Sequence, residues 1–314
     1  MSYLGNLTLR LAAGAMQLPD SFRDRHAHFL TQAQREDGGF AGRQGQSDLY
    51  YTGFAVRGLA LLAALTEDQA QRTADFLQAS LSQDLPAIDF LSLVFSSVLL
   101  EVSYGLDVFT RAQLDRQQII QERLAPLRRP DGGFAKTPKS GRSSTYQTFL
   151  SVACLQLIGA ELETPDQVAA LVNSRRRPDG GYCELDAIAR SGTNPTAAAV
   201  GLLRLLEADE TMALTATEAE KTTRFLAAMQ SDDGGLRANT LIPISDLLST
   251  CTGLIALADM NSLDTVNLGN VRRYVDSMEQ QTGGFRGGNW DSEIDTEYTF
   301  YGLATRALLA SLKA

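Results

Sequence analysis

A glycine pair that returns about every fifty residues constrains this 314-residue chain more than any other feature. The strings QREDGGF, RRPDGGF, RRPDGGY, QSDDGGL and QQTGGF end at Phe40, Phe134, Tyr182, Leu236 and Phe285. Their first glycines, Gly38, Gly132, Gly180, Gly234 and Gly283, are separated by 94, 48, 54 and 49 residues, so the first interval holds two periods. The apolar run 87–101 fills that gap as a copy without its glycine pair, which makes six units. A fixed period of this length marks stacked supersecondary units.

Each unit has the same grammar. An amphipathic helix, such as 25–33 or 219–229, runs into a polar residue and Gly-Gly, which can take positive φ and end the helix in a tight turn. A polar loop follows, and then a Ser/Thr-rich start opens a strongly apolar helix: 51–65, 146–158, 196–206, 249–258 and 298–312. No stretch alternates with period two, so about twelve helices and little sheet are expected. A helix apolar nearly all round must be buried. Six such helices as an inner ring inside six amphipathic ones satisfy both patterns. The expected fold is therefore all-α, a single α/α toroid (an α6–α6 barrel) over residues 1–314. An open solenoid is the alternative, and apolar terminal copies argue against it.

Composition narrows the function classes. With 44% hydrophobic residues the chain can build a large core, and a net charge of −9 argues against a general nucleic-acid binder. Cys154, Cys183 and Cys251 are far apart in apolar surroundings, so reduced thiols and a cytoplasmic location are expected. The apolar run in residues 1–17 is broken by Arg10, and no membrane span is expected.

The repeat units resemble those of protein prenyltransferase β subunits and of squalene–hopene and related class II cyclases, over roughly residues 22–312. Residues 290–309 (WDSEIDTEYTFYGLATRALL) and 48–62 (DLYYTGFAVRGLALL) are most similar to the β subunit of Rab geranylgeranyltransferase. The resemblance implies an apolar funnel for an isoprenoid, a rim zinc that activates a cysteine, and cations that hold a diphosphate. It also admits a helical partner subunit. Zinc needs tetrahedral N, S or O ligands with one open position. Asp246 and Asp295 stand at the family's acidic positions, but Leu248 replaces its Cys and Tyr298 its His. His26 and His28 lie in the first outer helix and read as helix residues without a metal. No resident cofactor is expected: zinc is disfavoured and magnesium is left open.

The expected function is binding of an isoprenoid or prenyl diphosphate in a central cavity, as a transferase-like enzyme without zinc-dependent transfer to protein cysteine. Asp246, Asp295, Glu297 and Tyr298 are the catalytic candidates. Tyr51, Phe54, Tyr146, Phe149, Phe300 and Tyr301 are the aromatic substrate-binding candidates, with Arg142 and Arg190 for an anionic head group. Two rival readings stand beside it. The carboxylates Asp291, Glu293, Asp295 and Glu297 could keep one proton for a cyclase-like reaction or simply cap a helix. Alternatively, the toroid binds a lipid or partner without catalysis. Arg57, Arg204 and Arg306, at similar places on three inner helices, read as buried ion-pair partners or ring-base residues rather than catalysts. Elemental analysis after dialysis should return no stoichiometric zinc. About one zinc per chain, lost on Asp246→Ala, would overturn the ligand assignment.

Overall fold

A computed structural model of the chain describes residues 2–206 and 214–312. The helices in chain order are α1 (Tyr3–Ala15), α2 (Asp20–Gln32), α3 (Leu49–Leu61), α4 (Glu67–Ser80), α5 (Ala87–Tyr104), α6 (Val108–Arg111) and α7 (Arg116–Leu124). They continue as α8 (Thr145–Leu157), α9 (Pro165–Arg175), α10 (Thr193–Leu206), α11 (Ala216–Ala227), α12 (Leu247–Asp259), α13 (Leu268–Met278) and α14 (Thr296–Ser311). The helices α3, α5, α8, α10, α12 and α14 each touch the next, and α14 returns to α3, so the inner ring closes. On the outside, α2, α4, α9, α11 and α13 pack on the inner helix that follows each. Gln117 of α7 donates to the carbonyl of Ile158 at the end of α8, which places α7 likewise. The α/α toroid is thus the fold, and the run 87–101 is its α5. That helix is the one described element long and apolar enough to cross a membrane by length and composition, yet here it lies between α3 and α8.

A single bonding pattern builds each turn. The aspartate before the glycine pair accepts the N–H of the second glycine, as Asp131 does from Gly133 at 3.1 Å and Asp179 from Gly181 at 3.0 Å. The same carboxylate takes a serine hydroxyl from the loop's far end, Ser191 to Asp179 at 2.7 Å and Ser245 to Asp233 at 2.8 Å. The next residue is a buried aromatic or Leu, whose N–H donates to a threonine hydroxyl on the inner helix. These pairs are Phe40–Thr52 (2.8 Å), Phe134–Thr148 (2.9 Å), Tyr182–Thr196 (2.9 Å), Leu236–Thr250 (2.9 Å) and Phe285–Thr299 (3.1 Å). Every buried N–H of the turn is therefore partnered, as a compact loop requires. At Gly180, φ is +89° and an added Cβ would overlap the carbonyl oxygen of Lys221 on the next outer helix, α11.

The last repeat closes the ring by the same device with different residues. A Cβ at Gly283 would meet the Arg25 carbonyl of α2, which is the first repeat's outer helix. Thr282 stands where the other turns have Asp, and the Gly284 N–H donates instead to His26 Nδ1 at 3.0 Å. Glu279 receives both Arg25 and, at 3.3 Å, His26 Nε2. His26 is therefore a seam residue, not a metal ligand. Between Phe285–Arg286 (β1) and Ile294–Asp295 (β2) runs the small antiparallel pair, the only named strands among the described residues.

Among the described residues two α-helices lie outside the expected twelve, α1 and the four-residue α6. The inner helices also begin one to three residues before the apolar runs, because the caps Asp48, Ser144, Asp246 and Asp295 precede them.

Gly180→Ala should cost about 2 kcal/mol or more, because both its φ and the Lys221 carbonyl oppose a Cβ. Gly141→Ala, with open space around it, should change stability by less than about 0.5 kcal/mol, and urea melts check both. Burial holds the His26 pKa below its ordinary 6.5, although Glu279 pulls the other way. A depressed histidine favours the fold above the unfolded pKa, and that contribution fades as pH falls toward the folded one. Between about pH 7.5 and 5.5 the wild type should therefore lose more thermal stability than His26→Gln. Parallel losses would show that His26 does not set the acid response.

Candidate ligand-binding lumen

Each inner helix starts at the rim, beside the glycine turns, and ends at the opposite face. Across that face lies α1. The Tyr3 amide donates to Gln156 Oε1 at 2.8 Å, near the end of α8, and its hydroxyl donates to Asp259 at 2.6 Å, the last residue of α12. Arg10 pairs with the same Asp259 at 3.3 Å, and Gly14 lets α1 sit against the Ala307 carbonyl of α14. A helix spanning three inner helices closes this end, so the lumen is approached from the rim.

The lumen wall is legible from the inner residues that keep some accessible surface. They are Tyr50 and Arg57 on α3, Ile88, Phe95 and Leu99 on α5, and Tyr146 and Phe149 on α8. The stripe continues through Asn194 and Ala197 on α10, Leu248, Thr252 and Ile255 on α12, and Glu297 and Phe300 on α14. Tyr146 is 38% exposed although it stands on an inner helix, which requires open space beside it. At the α3–α14 seam the aromatics form one contiguous wall. Phe54 lies 5.0 Å from Tyr50, 5.7 Å from Phe300 and 5.4 Å from Tyr301, ring centre to ring centre. Phe149 packs over Gly201 and 6.2 Å from Tyr3 of the closing helix.

The catalytic candidates divide by what their oxygens already do. Asp246 is the cap of α12, accepting the Ser249 N–H at 2.6 Å and its hydroxyl at 2.9 Å. Asp295 caps α14 through the Tyr298 N–H at 2.8 Å and takes Arg43 Nε at 3.2 Å. Burial raises the pKa of both. Glu297 caps nothing: it faces the lumen and accepts the Tyr50 hydroxyl at 2.8 Å, and burial raises its pKa too. Tyr298 and Tyr51 lie over the rim-loop backbone at Gly287 and Gly42, so these two candidates cover loops, whereas Phe300 lines the lumen with the buried Phe54 and Tyr301 packed against it.

The rim cations are mostly neutralised. Arg142 pairs with Asp186 at 2.9 Å, Lys136 with Glu184 at 3.5 Å, and Arg43 with Asp291 and Asp295. Arg190 is exposed and forms no ion pair among the described residues. The residues at the zinc position do not suit that metal. Both Asp246 oxygens are taken, Leu248 and Tyr298 offer no soft or imidazole ligand, and burial raises the Cys251 thiol to about 12. Among the described residues no group of three His, Cys, Asp or Glu could hold a metal.

Sequence reasoning missed three contributors. Arg43 crosses the seam to two carboxylates, α1 closes the lumen, and Arg57 forms no ion pair among the described residues. Of Arg57 and Arg306, Arg306 forms the expected ion pair, with Asp276. A cation inside an otherwise apolar inner helix was the available signal for Arg57.

The family model described as Prenyltransferase alpha-alpha toroid domain matches residues 4–89, 93–236 and 197–314. No curated protein sequence matches the chain significantly. Among solved structures, it is similar to Candida albicans protein geranylgeranyltransferase-I complexed with GGPP, at TM-score 0.70 and 16% identity over 90% of each chain. It is also similar to a variant of the type II terpene cyclase MstE from Scytonema in complex with merosterolic acid A, at TM-score 0.62 and 12% identity over 99% of this chain and 100% of that one. An inactive variant of alpha-1,6-mannanase from Salegentibacter, in complex with alpha-1,6-mannotriose, aligns at TM-score 0.63 and 9% identity over 92% and 98%. At such identities the likeness is one of fold.

Because burial raises the Glu297 pKa, its ionised form is disfavoured in the fold relative to the unfolded chain. The sign follows: its contribution is most favourable below the unfolded pKa and is lost as pH rises through the folded one. Glu297→Gln, which keeps an acceptor for Tyr50, should therefore raise the thermal midpoint at pH 7, and the gain should shrink toward pH 5. A gain that grows on acidification would place Glu297 in an environment that favours its charge.

Proposed function

Since this chain belongs to the prenyltransferase alpha-alpha toroid family, we propose that it binds an isoprenoid chain inside the lumen and does not carry out zinc-dependent transfer to a protein cysteine. The observation that carries the reading is the α3–α14 seam, where Tyr50 and Phe300 keep accessible surface along a space entered from one end and pack against the buried rings of Phe54 and Tyr301. Exposed apolar side chains on the rim loops, Leu241, Ile244 and Trp290, form a lip that suits a lipid-like ligand. Likeness of fold alone would not select an isoprenoid, because the same ring aligns with a mannanase solved with a sugar. A glycan would need many polar groups in the lumen, and the inner stripes are instead largely aliphatic and aromatic.

One observation favours a second reading, acid-initiated cyclisation. Glu297 is the candidate carboxyl that faces the lumen, is not spent on capping, and has a pKa raised by burial. Conversion of a polyprenyl substrate into a cyclic hydrocarbon skeleton, lost on Glu297→Gln, would select this reading.

Saturating geranylgeraniol or geranylgeranyl diphosphate should raise the thermal midpoint by mass action. Phe300→Asp and Leu248→Asp, each placing a charge on a lumen stripe, should remove that rise while the helical circular dichroism signal persists. A midpoint unmoved by either ligand in the wild type would defeat the isoprenoid reading.

A further inference from the structure

Arg57 stands on the third turn of α3 and faces the lumen. Its Nε donates to the Gly53 carbonyl at 2.8 Å, and its guanidinium lies 4.5 Å from the Phe54 ring centre and 4.6 Å from that of Phe300. Among the described residues no carboxylate forms an ion pair with it, and its two terminal nitrogens donate no hydrogen bond. The hydroxyls of Tyr146 and Tyr301 also bond to nothing among the described residues, and both lie within electrostatic reach of the guanidinium. A guanidinium taken out of water with no carboxylate bonded to it is costly, and cation–π contact with two rings offsets only part of that cost. The planar fork and the two phenols thus present unspent donors to one region of the lumen.

We propose that Arg57 seats a singly charged oxyanion, so that the ligand is an isoprenoid-like chain ending in a carboxylate held inside the ring. This rests on the lumen-binding reading above and names the head group. The fork of a guanidinium matches the two oxygens of a carboxylate, and the phenols of Tyr146 and Tyr301 supply further donors. Charge decides against a diphosphate at this place. Glu297 is also within reach of Arg57 and adds a carboxyl, so a multiply charged head would face one cation and one acid in an apolar ring. Of the rim cations, Lys136, Arg142 and Arg43 are already paired with acids of neighbouring loops, and Arg190, which is not, stands exposed.

The test is calorimetric titration of the full chain with three probes that share one tail: geranylgeranoic acid, geranylgeraniol and geranylgeranyl diphosphate. The acid should bind about tenfold or more tightly than the alcohol, and Arg57→Gln should bring it down to the level of the alcohol, whose own affinity stays within about threefold. Arg57→Lys, which keeps the charge but not the fork, should recover only part of the difference. Should Arg57→Gln fail to fold, Tyr146→Phe gives the same readout, weakening the acid and leaving the alcohol alone. An acid-to-alcohol ratio near one in the wild type, or a ratio unchanged in the variants, overturns the carboxylate seat and leaves the isoprenoid reading standing. So does a diphosphate that binds more tightly than the acid and ignores Arg57. If none of the three probes binds, the lumen reading falls and the inference falls with it.

Discussion

The fold rests on a threonine hydroxyl used twice in each glycine-bearing repeat. It accepts the N–H of the buried residue after the glycine pair and donates to the carbonyl four residues earlier on its own inner helix, as Thr148 does to Ser144 at 2.7 Å and Thr250 to Asp246 at 2.7 Å. One small side chain thereby ties the turn to the inner helix and satisfies a buried donor that no strand or helix could serve. Inner helices are also joined to the following repeat through their first residues. The Thr193 N–H reaches the Ala238 carbonyl at 2.9 Å, and the Leu247 N–H reaches the Gly287 carbonyl at 2.8 Å. With the third, fourth and fifth repeats each holding the next in this way, the sixth must find a first repeat to hold. The Gly283 turn on α2, His26 under Gly284 and Arg43 between Asp291 and Asp295 meet that requirement with side chains found nowhere else in the repeat pattern.

How far the sequence discloses this follows from whether a feature is periodic. Glycine pairs, their aspartates and the apolar inner helices recur, so the ring and its six units can be read off directly. Even the second unit, without its glycines, is found because its neighbours fix where it must lie. The closing helix α1 has no counterpart in the period, and its anchors are non-local: Tyr3 finds Asp259 across 256 positions. The same holds for the site. Tyr50 and Glu297 are 247 residues apart, and only a closed ring makes them partners. Tyr51 and Tyr298 carry the aromatic signal but fall one position from the lumen stripe, and so cover Gly42 and Gly287 instead. A helix turns about 100° per residue, so one position is enough to move a ring from lumen to loop.

Departures from the zinc-dependent pattern fit together physically. A catalytic zinc needs ligands with free lone pairs at the rim. Asp246, one of the two acids at the family's positions, bonds Ser249 through both oxygens, and the lumen position two residues on is the aliphatic Leu248. Replacing a ligand by Leu removes the donor and also extends the apolar stripe of Leu248 and Ile255 toward the mouth. The rim there presents apolar wall, and Lys136, Arg142 and Arg43 are held in bonds between loops.

The guanidinium of Arg57 bears on which chemistry this wall can support. Aromatic faces stabilise a positive charge because the ring quadrupole is negative above its plane, and a cyclising isoprenoid would use them for the carbocation it develops. Here the faces of Phe54 and Phe300 are already occupied by a permanent cation, at 4.5 and 4.6 Å. A second positive charge nearby would meet repulsion in a medium that screens it poorly. Cyclisation initiated by Glu297 would therefore have to carry its developing charge away from the α3–α14 seam, toward the aliphatic stripes of α5 and α12. Binding an anion has no such conflict, since the same cation and rings then act together on one head group and its tail.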